Sequence, residues 1–507
     1  MIGFDASIVK AWRPSGVRLN ADHLRSLSGI QERRKFRKTL LLQVLLMSSG
    51  IGGWLSLDAA LASVAQVGPT AIDRFRADLD PEWIAQALAA TGTATLRRRR
   101  LPAEQVIWLV LGMALHRNRS IVEIVNKLDL ALPDEHGRPV AASAVPKARA
   151  RVGPEPLACL FARCAEAWTS REAAPGWRGL TLYGVDGTAL RVPDSPENRA
   201  HFGGHPAGGG HGESGYPLAR VVALVELRSH LVRAAAFGPH RAGEHTYAAP
   251  LWDAVPNDSL TIVDRGFLAA GLLLPLARGG TNRHWLVRAK RNTRYQVVEE
   301  FGPGDALVEM RVSPAARRQD PTLPLTWRAR AVAYQRPGHA PRVLLTSLRD
   351  PEQYPAAEVG ALYHERWEIE LGYDEVKTGL LAREEAIRSQ SPAAVAQEMW
   401  GLLLAYNLVR LEMARVAQAA GVAPTRVSFV AALHLIRDEW LWCAGAPPGA
   451  IPRHLRELRR TLAQLILPER RRERHYPRHV KLRLTGYPRN RGAPRPRGRP
   501  KITKTLK

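Results

Sequence analysis

An α/β fold is predicted by three features of this 507-residue sequence. Two short apolar runs, Leu180 to Val185 and Leu260 to Val263, each end on an aspartate followed at once or one residue later by glycine, the pattern of a buried strand closed by a turn. Around them, strand-like and helix-like stretches alternate. The third feature is the stretch Tyr363 to Lys377, YHERWEIELGYDEVK, whose apolar positions recur at helical spacing.

Composition narrows the class. With 45% hydrophobic residues, a chain of this length can build several cores. The formal net charge of +26 favours a polyanionic partner, nucleic acid before membrane surface. Cys159, Cys164 and Cys443 are too few and too irregularly spaced for a zinc site or disulfide framework, which suits packing roles in a reducing cytoplasm. The apolar stretch Leu40 to Val64 is broken by Gln43, Ser48, Ser49, Gly52 and Asp58, so neither a membrane span nor a signal peptide is expected.

From Asp80 to about Glu172 the pattern is helical. Pro102 stands where proline opens a helix, Val106, Leu109, Val110 and Met113 give it an apolar face, and Ser120 is placed to cap a second helix through Leu128. Two helices joined by a tight turn, after the run Arg97 to Arg100, read equally as a DNA-binding unit or a plain helical hairpin. The strand before Asp186 comes next. Leu218 to Glu226 and Leu231 to Phe237 then make a hairpin turning at Arg228 to His230, a helix starts near Glu244, and the strand before Asp264, a helix and a strand from His284 to Lys290 follow. The loop Arg199 to Tyr216 contains His201, His205 and His211 but has neither phosphate-cradle nor zinc spacing. Four β-like runs, Arg294 to Glu300, Ala306 to Val312, Leu325 to Tyr334 and Arg342 to Leu348, predict a β-rich insertion before the helix at Tyr363. Ser391-Pro392 opens a long helix and Pro424 another. From Arg470 to Lys507 there are fifteen lysines and arginines against one glutamate, a run expected to be disordered when free and to bind phosphates. Within it PRGRPK, Pro496 to Lys501, resembles an AT-hook, with Arg497 and Arg499 as minor-groove contacts.

Tyr363, Arg366, Glu370, Asp374 and Lys377 step by threes and fours, so one helical stripe sets a carboxylate between an arginine and a lysine. Leu362, Ile369, Tyr373, Val376 and Leu380 form a packing stripe beside it. Alone, that is a solvated charged helix. Asp186 and Asp264 at strand ends make the set more particular, because three converging carboxylates repel unless divalent cations neutralise them. The spacing from Tyr363 through Arg366 and Glu370 to Lys377 resembles the Y-(2)-R-(3)-E-(6)-K signature of the insertion-element-four family of DDE transposases. Asp186 within YGVDGT and Asp264 within IVDRGF resemble that family's first and second catalytic aspartates, and the likeness runs from about residue 70 to about residue 490.

The resemblance implies a ribonuclease-H-like catalytic domain, whose order of strand, hairpin, helix, strand, helix and strand the central region repeats. Its layout is an amino-terminal extension over 1–68, a helical DNA-binding domain over 69–175, the catalytic domain over 176–288 and 355–390 split by the β-rich insertion 289–354, a helical region over 391–468, and the basic tail. The implied activity is cut-and-paste transposition: binding of terminal inverted repeats, hydrolytic cleavage, hairpinned ends and strand transfer. A homodimer in the synaptic complex, a place at the nucleoid in the cytoplasm, and no membrane or small-molecule partner are expected. Asp186, Asp264 and Glu370 are expected to hold two Mg2+ ions, with Mn2+ as a substitute, one activating water or a 3′ hydroxyl and the other stabilising the leaving oxygen. Tyr363, Arg366 and Lys377 are expected to grip phosphates, and Thr188 to assist Asp186. Similar enzymes receive a flipped base in an aromatic pocket, for which Trp285 and Trp327 are the candidates. A nuclease on the same fold would cut without joining, and a DNA-binding descendant of a dead transposase would lack one of the acids; all three are present.

Overall fold

The computed structural model describes residues 79–467, apart from 94–100, 129, 131–139, 172–175, 207–212, 336–339, 383–385 and 444–450. The amino-terminal extension, the run Arg97 to Arg100, His211 and the basic tail with Arg497 and Arg499 lie outside the described residues.

Five strands, β1 (Thr181–Arg191), β2 (Leu218–Glu226), β3 (Val232–Pro239), β4 (Ser259–Val263) and β5 (Arg283–Arg288), stand in the spatial order β3-β2-β1-β4-β5. β1, β4 and β5 are parallel neighbours, and β2 and β3 form the expected antiparallel hairpin. Side chains alternate across a strand, so runs apolar at every position must be covered on both faces. Leu182, Leu260, Ile262 and Leu286 enter one buried cluster, while Tyr183, Val185, Val263, Trp285 and Val287 enter another on the opposite face.

Four further strands, β6 (Gln296–Gly302), β7 (Asp305–Arg311), β8 (Thr326–Tyr334) and β9 (Arg342–Thr346), are an insertion in sequence but not a separate body in space. They extend the same sheet, giving the order β3-β2-β1-β4-β5-β9-β8-β7-β6. The free edge of β5 would leave a row of backbone donors and acceptors unpaired, and β9 satisfies it through the pairs Leu344↔Arg288, Leu345↔Val287 and Thr346↔Leu286. In the distal strands the buried Arg330 makes a bidentate pair with Asp305, Nε to Oδ1 at 2.6 Å and Nη2 to Oδ2 at 2.5 Å.

The helical stretch before the sheet comprises α1 (Pro81–Ala90), α2 (Ala103–Leu115), α3 (Ile121–Lys127), α4 (Ala144–Val152) and α5 (Glu155–Arg171). Ser120 caps α3 by accepting from the Glu123 amide at 3.1 Å. Between the strands lie α6 (Pro196–Phe202), α7 (Glu244–Ala248), α8 (Ala270–Arg278) and α9 (Pro314–Gln319); α10 (Ala356–Leu362) and α11 (Trp367–Asp374) carry the signature stretch, and α12 (Pro392–Ala419), α13 (Phe429–Cys443) and α14 (Ile451–Ala463) follow. α2 is buried on every face from Val106 to Leu115 and crosses α12 where Gly401 lies so close that an added Cβ would stand 2.3 Å from Val110 Cγ1. A helix covered all round has no face left for a DNA groove. The pair α2–α3 is therefore built on a core helix, and amino-terminal and carboxy-terminal helices share one buried cluster. Cys164 is buried but Cys159 is exposed, so the packing role holds for the first alone of these two. Among the described residues, no helix is long and apolar enough to cross a membrane.

Candidate active site

The signature stretch is helical but not uniform. Tyr363–Arg366 form a 3₁₀ turn, α11 carries Glu370, and Glu375–Leu380 widen into a π turn. Leu362, Ile369, Val376 and Leu380 are buried as the packing stripe requires. The tight entry and wide exit depart from the even 100° step expected of one α-helix; single π turns are characteristic of functional sites.

Asp186 does not end its strand, since β1 runs on to Arg191. Its parallel ladder with β4, however, stops at Val185↔Val263, so Asp186 and Asp264 are the next residues on two adjacent parallel strands. Asp264 leaves the sheet as the cap of a short 3₁₀ turn, accepting from the Gly266 amide at 2.7 Å. Asp186 accepts from the Gly187 amide at 2.8 Å. Arg366 joins strand to helix: its Nη1 lies 3.3 Å from Asp186 Oδ2 and its Nη2 2.6 Å from Glu370 Oε1. Among the described residues, no three acids or histidines are grouped closely enough to hold a metal ion, and the Arg366 fork is what stands between two of the three carboxylates.

Burial pushes the Asp186 carboxyl up to about 6; the Gly187 amide and Arg366 oppose the rise, and the charges of Asp264 and Glu244 add to it. A buried carboxyl raised in this way is held ionised once a divalent cation binds beside it, and carboxylate oxygens are the donors such a hard ion takes. The donor set fits in kind. Glu244 is a fourth carboxylate that the sequence reading missed. It pairs with Arg220 and lies against Gly187, where an added Cβ would meet its carboxylate at 2.7 Å. The neighbouring His245 Nε2 lies 2.9 Å from the Gly266 carbonyl, so α7 touches the segments after both aspartates. No spacing rule links Glu244 to the signature, and only the fold brings it there.

Beside Asp264 opens a cleft of about 310 Å³ lined by Arg265, Arg288, Arg342, Arg366 and His364 together with Tyr334, Tyr363 and Trp367. Trp367 is 56% exposed with the Arg366 guanidinium 5.3 Å from its ring centre, and Tyr334 meets His364 edge-on at 5.7 Å. Cations and aromatic faces on one wall suit the phosphates and bases of a DNA strand. Of the expected phosphate contacts, Tyr363 and Arg366 line this cleft. Lys377 does not; it sits on the π turn beside an apolar void that Thr188 also borders. Trp285 and Trp327 are 1% and 7% exposed and pack on each other at 5.4 Å, which makes them core rather than the wall of a base pocket. Arg265 directly follows Asp264 and Arg288 ends β5, so basic residues at strand ends were the available signal for this wall.

Residues 69–162 match the family described as "Insertion element 4 transposase N-terminal", and residues 177–408 match "Transposase DDE domain". The chain is 41% identical over 417 residues to "Transposase InsG for insertion sequence element IS4" of Escherichia coli (strain K12), covering 81% of this chain and 92% of that protein. It is 36% identical over 233 residues to "Putative transposase InsZ" of the same organism, covering 46% of this chain and 76% of that one. A solved piggyBac transposase synaptic complex with hairpin DNA aligns at a TM-score of 0.38 and 11% identity, covering 79% of this chain and 86% of that one, a likeness too low to carry weight. The mixed sheet in the order β3-β2-β1-β4-β5, which fits the ribonuclease-H-like fold, and the matched catalytic domain define a DDE transposase, an enzyme that cleaves DNA and transfers strands. Within that class, the chain belongs to the insertion-element-four family.

Proposed function

We propose that the protein catalyses cut-and-paste transposition of an insertion sequence, binding the element's terminal inverted repeats, cutting them through hairpinned ends and joining them to a target. The observation that carries this reading is the placement of Asp186 and Asp264 at the end of one parallel ladder, with Glu370 tied to Asp186 through Arg366, beside a basic and aromatic cleft. Asp186, Asp264 and Glu370 are the residues that would hold two divalent ions, Mg2+ or in its place Mn2+. Bound there, such ions supply Lewis-acid activation of an attacking water or 3′ hydroxyl and stabilise charge on the leaving oxygen.

The chain's own groups do the rest. Arg265, Arg288 and Arg342 seat the phosphates of the strand, Arg366 neutralises charge between the scissile phosphate and the acids, and Tyr363 donates its hydroxyl to a phosphate oxygen. Tyr334 and Trp367 offer the aromatic surface on which an extruded base would stack, the role that the buried Trp285 and Trp327 cannot fill. The helices packed around α2 within residues 81–171 and the basic tail, with Arg497 and Arg499, would hold DNA further from the cut, and a homodimer would bring two ends together in the cytoplasm at the nucleoid.

Purified protein, Mg2+ and linear DNA carrying the element's own ends test the reading. Excision followed by joining to a target plasmid is the expected outcome. Cleavage without joining would favour a nuclease, and undiminished cleavage by Glu370→Ala would overturn the site.

A further inference from the structure

The signature helix rests on β1 and β2 along a seam that apolar packing leaves incomplete. Ile369, Gly372, Tyr373 and Val376 border an apolar void of about 30 Å³, closed from the other side by Val221 and Leu403. Dispersion forces fall off steeply across a gap and have no direction, so they do not by themselves set the height of the helix over the sheet. Polar ties do. The half-buried Tyr373 donates its hydroxyl to the Asp186 carbonyl oxygen at 2.7 Å and accepts from the Ala223 amide at 3.2 Å. Asp186 and Ala223 are paired across β1 and β2, so one hydroxyl grips both strands.

Tyr373 follows Glu370 by three residues, which places the two about one helical turn apart on adjoining faces. A second tie lies beyond it. Glu375, first residue of the π turn, accepts from the Tyr406 hydroxyl at 2.7 Å and from Arg410 Nη1 at 3.2 Å, both on α12. Gly372 makes room for this tie, since an added Cβ would stand 3.3 Å from the Tyr406 hydroxyl oxygen. On the flank, His230 of the hairpin turn lies 2.9 Å from Glu368.

We propose that Tyr373 is a positioning residue for DNA cleavage: by tying the signature helix to the carbonyl of Asp186 itself, it fixes the separation of Asp186 and Glu370, with Tyr406 as a second tie acting through Glu375. This rests on the reading of Asp186 and Glu370 as catalytic acids. A misplacement of about 1 Å in such a site costs about a hundredfold in rate, and loss of one of two ties costs less.

The test is strand cleavage of end DNA at saturating DNA and Mg2+, with end affinity and melting temperature measured alongside, for Tyr373→Phe, Tyr406→Phe, Leu403→Ala and Glu370→Gln. Tyr373→Phe is expected to lower the cleavage rate about tenfold with end affinity held within about twofold, and Tyr406→Phe to give a smaller loss of the same kind. Leu403→Ala, which enlarges the void and leaves both ties intact, is expected to melt at least as early as Tyr373→Phe yet cleave within about threefold of the wild type. Wild-type cleavage by Tyr373→Phe overturns the proposal, as does a rate loss no greater than that of Leu403→Ala at equal melting temperature. Should Tyr373→Phe not fold, wild-type cleavage by Tyr406→Phe overturns it. Glu370→Gln separates the two levels: if it cleaves normally the catalytic reading itself fails, whereas if it is dead while Tyr373→Phe is normal, only the positioning role fails.

Discussion

Arg366 is bonded to two carboxylates on different elements, and this sets what single substitutions should do. Glu370→Ala removes an acid of the proposed site and is expected to lower cleavage on the order of a thousandfold or more while end DNA still shifts in a gel, since the cleft cations remain. Glu375 offers a pH test away from those acids. Its burial favours the neutral form, but Arg410, His230 and Tyr406 win and hold the carboxyl down at about 2. A depressed carboxyl stabilises the fold fully above its ordinary value of 4.5 and loses that contribution as pH falls through about 2. The shift corresponds to on the order of 3 kcal/mol. Chemical denaturation of wild type and Glu375→Gln should therefore show a stability gap at pH 7 that narrows steadily from pH 4.5 toward 2. A gap independent of pH would remove the charge from the explanation.

Among the elements, α12 packs on α2 through a single small residue. Gly401→Ala is expected to cost about 1–3 kcal/mol in urea unfolding, because the new methyl meets the Val110 side chain and its backbone oxygen at 3.1 Å, and the two helices must part. In β8 the buried Arg330 depends on Asp305, so Asp305→Ala should cost roughly 3–5 kcal/mol by stranding that guanidinium. At this scale the sequence was most readable where periodicity reports burial. The apolar runs of β1 and β4, the β2–β3 hairpin, the Ser120 cap and the helix start at Pro392 follow from local rules. The ties at Glu375 were hidden because they are tertiary: Arg410, Tyr406 and His230 come from distant segments to one carboxylate. Glu244 and the basic cleft escaped for the same reason, since residues far apart in the chain are neighbours only through the sheet.

Taken whole, the molecule combines a net charge of +26 with a cleft walled by arginines. End binding should weaken steeply with salt, and deleting residues 490–507, which remove Arg497 and Arg499, should flatten the log-affinity against log-salt slope without abolishing cleavage. An unchanged slope would mean that the tail takes no part.

The join between β5 and β9 is the shortest ladder of the nine-stranded sheet, three residue pairs extended by the Ala289 amide to the Val343 carbonyl and the Ser347 amide to the Trp285 carbonyl. Arg288 and Arg342 both line the cleft from the two sides of that join. Mechanically, the sheet is two plates meeting at a narrow weld, with the mouth of the basic cleft laid across it. Local opening is therefore expected to begin there, and amide exchange at Val287, Leu344 and Leu345 should outpace exchange at Val185 and Ile262 and slow when end DNA clamps both plates.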